Sequence, residues 1–227
     1  MREDIAQNLA LQSLEMGSIK LSPKKPFLWT SGYYMPIYND NRRLLHHPLT
    51  RHTIAQGFIS IIRRLDIQID NIAGTATAGI PHATTLADLL AKPLSYVRSS
   101  SKGHGLQNTI EGLDASKSYH NKNVLLIEDL ISTGGSSIHA VEAIRQAEGI
   151  VDYCLAIFTY NLEASKTNFD QLEPLCQVEA LLNYDQLIEI AHNHRFIDDE
   201  ELALLHSWKK DPFGWGETQG FAPKKKE

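Results

Sequence analysis

Residues 124–127 read Val-Leu-Leu-Ile and run directly into Glu128 and Asp129. This run constrains the fold more than any other stretch. A strand with one wet face alternates apolar and polar residues, whereas an unbroken apolar run predicts a strand covered on both faces. The neighbouring segments fit that reading. Short apolar runs at 71–74, 93–98, 123–129, 151–160 and 178–182 alternate with helical patterns at 80–91, 134–148 and 162–173. Strands alternating with helices imply βαβ units and a mostly parallel sheet, hence an α/β fold.

Two helices precede this rhythm, at 4–16 with Ile5, Leu9, Leu11, Leu14 and Met16 apolar, and at 48–65 with Pro48 near its start. Between them FLWTSGYYMPIYNDNRRLL is aromatic and broken by Gly32 and Pro36, which predicts short strands around a turn. Two further helices end near Trp208, and GETQGFAPKKKE reads as a polar, frayed tail. The expected organisation is one domain over 1–227. About 1–45 form an N-terminal helix and hood, about 46–208 the core and about 209–227 the tail.

The chain has 227 residues and a formal net charge of -5, which argues against bulk electrostatic binding to nucleic acid. Cys154 and Cys176 form neither a CxxC pair nor a disulfide framework, so a reducing, cytoplasmic setting is expected. The N-terminal residues lack the basic start and apolar block of a signal peptide. No run approaches ~18 apolar residues, so no membrane span is expected. His192 and His194 stand two apart on a predicted helix, on different faces, and make no metal pair.

In an open parallel sheet, ligands bind beyond the carboxyl ends of the strands. Glu128 and Asp129 are expected at such an end. Ser132, Thr133, Gly134, Gly135 and Ser136 then lead into a helix N-terminus, where backbone N–H groups and the helix dipole favour an anion. The loop has no lysine and no GxxxxGK[ST] pattern, so one phosphate held by amides and hydroxyls fits better than a triphosphate. The adjacent acids are then free for a ligand's hydroxyls or a hydrated Mg²⁺. Arg98, Lys102 and His104 occupy a polar loop over 98–112, of a kind that can close over a polyanion.

The string VLLIEDLISTGGSS resembles the phosphoribosyl-diphosphate signature of type I phosphoribosyltransferases. GTATAGIPHA at 74–83, YVRSSSKGHG at 96–105, SGYYMPIYNDNRRLL and NTIEG resemble the orotate phosphoribosyltransferases, most closely the bacterial branch with the EDLISTGGS form. The resemblance covers about residues 16–208. It implies the type I phosphoribosyltransferase fold, a central mostly parallel sheet flanked by helices, with a small hood. It also implies transfer of a phosphoribosyl group from 5-phosphoribosyl 1-diphosphate to orotate, with Mg²⁺ bound through substrate and possibly by Asp129 via water. A homodimer sharing loop 98–112 between subunits is implied, with no nucleic acid or membrane partner.

Carried over by position, Lys102, His104 and Asp129 are the implied catalytic residues. Arg98, Lys102, His104, Glu128, Asp129, Leu130, Ile131, Ser132, Thr133, Gly134, Gly135, Ser136 and Thr77 are implied at the phosphoribosyl diphosphate. Ser132, Tyr38, Asn39 and Arg42 are the candidates for orotate; an arginine fork at Arg42 would match its carboxylate. The resemblance also shows departures from better-studied relatives: a tyrosine and a lysine stand there at the positions of Thr77 and Ala78, a basic residue at Ser99 and, in some, a lysine at Thr30, while an arginine that contacts orotate there appears here as Tyr160 or lies elsewhere. Two other readings remain open from sequence. One is transfer to another base such as a purine, against which the long KGHG loop and aromatic hood argue. The other is a regulator sensing phosphoribosyl diphosphate, which lacks a basic nucleic-acid-binding element here.

Overall fold

The computed structural model describes residues 2–29, 31–99 and 109–221. A six-stranded sheet forms the centre, made of β5 (Asn71–Thr75), β6 (Leu94–Val97), β7 (Ile110–Glu111), β8 (Val124–Ile131), β9 (Tyr153–Thr159) and β10 (Gln177–Asn183). Their order is β10-β9-β8-β5-β6-β7, parallel except for β7, which returns antiparallel on β6. The 98–112 segment is therefore not loop throughout, since Ile110 and Glu111 close a short antiparallel pair.

Helices α1 (Arg2–Glu15), α2 (Pro48–Leu65), α3 (Gly79–Leu90), α6 (Tyr184–Asn193) and α7 (Asp199–Lys210) belong to one hydrophobic cluster. Helices α4 (Gly135–Gln146) and α5 (Glu163–Asp170) cover the opposite sheet face. Strand β8 serves both sides, as its sequence requires. Leu125 and Ile127 enter the first cluster, and Val124 and Leu126 the second. Cys154 and Cys176 are buried free thiols.

Four short strands build the hood: β1 (Ile19–Leu21) pairs with β4 (Ile37–Asn39), and β2 (Phe27–Leu28) with β3 (Tyr34–Met35). A 3-10 turn at Asn41–His46 then enters α2, with Leu44 fully buried as its anchor. Helix α1 packs on α2, α6 and β10 and also meets β1, so it joins the hood to the core. Its buried positions are Ala6, Leu9, Ala10 and Ser13. Small residues let the helix approach closely; Leu14 and Met16 pack against the same cluster at its edge, as their spacing predicts, while Leu11 does not.

The segment after 208 is packed, contrary to a frayed tail. Helix α8 (Trp215–Thr218) lies against β3; Trp215 is 2% exposed, and its Nε1 donates to Ser207 Oγ at 2.8 Å. The rings of Phe213 and Phe221 meet Tyr33 and Tyr34 at 5.3 and 5.4 Å. Apolar residues spaced among glycines escaped a reading that weighed the polar composition of this segment. Residues 222–227 lie outside the described structure. No helix among the described residues is long and apolar enough to cross a membrane.

Truncating Trp215 removes a buried indole and its hydrogen bond to Ser207. Trp215→Ala is expected to destabilise the protein by about 3–5 kcal/mol, read as a lower urea midpoint; a change under 0.5 kcal/mol would mean that this segment does not brace the fold.

Candidate active site

Strand β8 extends through both acids to Ile131, so Glu128 and Asp129 do not end it. Pairing with β5 stops at Gly74↔Ile127, while pairing with β9 continues to Ile131↔Thr159. From Glu128 onward the strand is therefore held on one edge only. The alternation of faces slips here too: Leu130 packs with the first cluster and Ile131 with the second, opposite to the phase of 124–127. A slip of one residue lets consecutive side chains share a side.

Glu128 is 4% exposed. Its carboxylate accepts four hydrogen bonds from the protein. Thr75 Oγ1 at 2.6 Å and the Asp129 N–H at 3.0 Å reach Oε1; Ser136 Oγ at 3.3 Å and Ser137 Oγ at 3.1 Å reach Oε2. These donors come from the end of β5, from β8 itself and from the first turn of α4. Such a carboxylate is satisfied internally, as burial of a charge requires. Asp129 is less enclosed and lacks comparable donors. Burial first, then the Glu128 charge and hydrogen bonding, push its pKa up to about 7, against the pull of its own and the Leu130 N–H. The hood holds the Asp129 carbonyl, which accepts from Asn41 Nδ2 at 2.7 Å.

The loop after β8 turns through Gly134 at φ +87°; a Cβ there would stand 2.8 Å from the Phe169 ring, so both conformation and space demand glycine. Asn168 Nδ2 donates to the Thr133 carbonyl at 3.0 Å, which fixes the loop from α5. Helix α4 has no side-chain cap on its first-turn N–H groups. Ser132 and Thr133 are half-buried, and Gly135 and Ser136 exposed. Uncapped amides beside hydroxyls form an anion cradle.

Across from α4, the turn after β5 brings Gly79 within 2.5 Å, measured from a built Cβ, of the Ile127 carbonyl, so only glycine fits. Thr77 is exposed on this turn. Thr75, Ala76, Arg98, Ser99, Gly135, Ser136 and His139 line a cavity of about 240 Å³. Arg98 faces it while paired with Glu111 at 3.5 Å. A larger cavity of about 410 Å³ lies away from the acids, between α5 and β10. The Lys102 and His104 expectations lie outside the described residues, as does Thr30.

The orotate candidates gather unevenly. Arg42 Nε bonds Asp40 Oδ1 at 2.6 Å, but its side chain is 67% exposed and senses the Asp129 charge. Tyr38 is exposed at the rim, its ring 5.9 Å from Phe27. Both amide atoms of Asn39 are buried without a hydrogen-bond partner. Tyr160 is 1% exposed, enclosed by Trp29, Phe158, Tyr184 and Trp208. It is a core residue and does not replace a basic ligand contact. Sequence reasoning missed Thr75, Ser137 and Asn41. The first two were visible only as hydroxyls at an element end, and Asn41 only as part of the NDNRR string.

An uncapped helix N-terminus and an arginine around one cleft, with Glu128 bonded to the same helix turn and Asp129 next to it in the chain, are the parts of a phosphorylated-sugar site at the carboxyl edge of a parallel sheet. Residues 40–159 match the family model described as the phosphoribosyl transferase domain. An orotate phosphoribosyltransferase of Listeria monocytogenes serotype 4b (strain F2365) is 45% identical over 212 residues, spanning 93% of this chain and 99% of that protein. That of Halalkalibacterium halodurans is 46% identical over 213 residues, spanning 93% and 96%. The solved orotate phosphoribosyltransferase of Aeropyrum pernix shares the fold, with a TM-score of 0.68 at 23% identity over 84% of this chain and 99% of that one. The chain belongs to the phosphoribosyltransferases, and within them to the orotate phosphoribosyltransferases.

The Asp129 pKa has a consequence for stability. An unfolded aspartate titrates near ~3.9, and the folded one is raised to about 7. The folded state therefore binds the proton more tightly, so the contribution of this group is greatest below pH ~4, declines as pH rises to about 7 and is then constant. Asp129→Asn is expected to raise ligand-free stability at pH 8 by up to about 4 kcal/mol and to leave it nearly unchanged at pH 4. Denaturant melts at both pH values check this; equal effects at both would refute the raised pKa.

Proposed function

We propose that the protein transfers the 5-phosphoribosyl group of 5-phosphoribosyl 1-diphosphate to orotate, yielding orotidine 5'-monophosphate and diphosphate in pyrimidine biosynthesis. The observation that supports this reading is the uncapped N-terminus of α4, whose first turn is bonded to Glu128 through Ser136 and Ser137 and lines one cavity with Arg98.

The amides and hydroxyls of 132–136 would hold the 5-phosphate. Asp129 would face the ribose hydroxyls, while Glu128, spent on four internal donors, would set the shape and field of the site. The turn carrying Thr77, together with Arg98, would lie on the diphosphate side. Lys102 and His104 are assigned to the departing diphosphate by resemblance. The lysine would stabilise its negative charge, and the histidine would donate a hydrogen bond. Arg42 would pair with the orotate carboxylate from the rim, and Tyr38, Asn39 and Ser132 would complete that pocket. The orphaned Asn39 amide supports this placing, because an unpaired buried polar group costs about 1–3 kcal/mol, which a ligand or water could offset.

Among the described residues no group of three or more His, Cys, Asp and Glu is arranged to hold a metal. A hydrated Mg²⁺ brought by the diphosphate would meet Asp129 through water. When bound, the ion would neutralise diphosphate charge and orient the ribose. The remaining work is positioning and charge stabilisation, with no covalent intermediate on the protein. A homodimer exchanging loop 98–112, acting in the cytoplasm, completes the proposal.

Purified protein with Mg²⁺ and 5-phosphoribosyl 1-diphosphate is expected to consume orotate, and not hypoxanthine, adenine or uracil. Failure to form orotidylate would refute the assignment. Arg42→Ala is expected to raise the KM for orotate roughly tenfold with little change in that for the diphosphate substrate. Mixed dimers of Lys102→Ala with Asp129→Asn chains should recover one intact site if the loop acts in trans; complete loss of activity would oppose that geometry.

A further inference from the structure

Asn41 is 2% exposed, polar and carried by the hood, yet its Nδ2 donates to a core atom, the carbonyl of Asp129, at 2.7 Å. The bond crosses from the 3-10 turn to β8 at the point where β8 has lost β5 as a neighbour. The donor is firmly seated. Asp40 N donates to the Ser18 carbonyl at 2.7 Å just before it, and Leu44 is fully buried just after it.

The geometry points to Asn41 as a positioning residue for the transfer reaction, acting through the Asp129–Leu130 peptide; this inference rests on the function proposed above. The peptide plane carries two opposed groups. Its carbonyl accepts from Asn41, and its N–H, on Leu130, is one of the backbone groups that pull the Asp129 pKa down. Because the peptide is planar, fixing the carbonyl fixes the direction of the N–H. A donor on the carbonyl also polarises the peptide and strengthens its N–H as a donor. Asn41 thus orients the side chain of Asp129 without touching substrate. It also ties the part of the chain that covers the base to the residue that faces the ribose, so the two halves of the site are set at one distance. Glu128 restrains the same segment from the α4 side through the Asp129 N–H. Asp129 is then held by its backbone on both sides.

A double-mutant cycle tests this. Asn41→Ala and Asn41→Asp, the second a shape match that lacks the donor, are expected to lower kcat about 10- to 100-fold with each KM changed less than threefold. In an Asp129→Asn background the same two substitutions are expected to cause less than a threefold further loss, because the group they position is already gone. Rates are taken per folded protein, measured by near-ultraviolet circular dichroism, so Asn41→Asp carries the test if the alanine variant folds poorly. Full multiplicative loss in the Asp129→Asn background, wild-type kcat in Asn41→Asp, or an effect confined to KM would each overturn the role. Wild-type protein without orotate turnover overturns the functional reading itself, and this inference with it.

Discussion

The buried carboxylate of Glu128 holds together the end of the sheet where the ligand site lies. Strand β8 leaves β5 after Ile127, and without another tie the two elements would separate just where the cleft opens. Thr75, Ser136 and Ser137 supply that tie through one side chain. An unpaired buried charge is expensive, so the arrangement is close to all or none: each hydroxyl lost leaves the carboxylate less satisfied. The result is a fixed distance between the turn after β5 and the first turn of α4, the two walls of the cavity beside Arg98.

That tie also explains why Asp129 is poised. Burial, and then the Glu128 charge beside it, raise the Asp129 pKa. A carboxylate kept in an unfavourable state in the empty protein has more to gain from a cation or a hydroxyl-bearing ligand than a relaxed one.

The fold was legible because β8 and β9 are apolar on both faces, and no other architecture covers such strands so simply. Helix α2 was legible at both boundaries from Pro48 and its apolar spacing. The site was less so. That Glu128 and Asp129 matter could be seen from the string, but their division of labour depends on where β5 stops pairing, which is a tertiary fact. Tyr160, one of two places for the relatives' arginine, is core, because its burial is decided by Trp29 and Trp208, 131 residues before it and 48 after. Asn41 was hidden for the same reason. Its partner is a backbone carbonyl, which leaves no trace in side-chain pattern.

Residues 208–221 grip the hood from behind: Trp208 Nε1 approaches Met35 Sδ at 3.1 Å, and Phe213 and Phe221 meet Tyr33 and Tyr34. The chain segments involved are nearly as far apart in sequence as this protein allows. During synthesis the hood emerges first and must wait for its brace until almost everything else has been made. Its neighbours in the sheet can pair earlier, since their connections are shorter. The pocket that would receive the base is therefore assembled last, and a nascent chain would acquire its sugar-phosphate half before its base half.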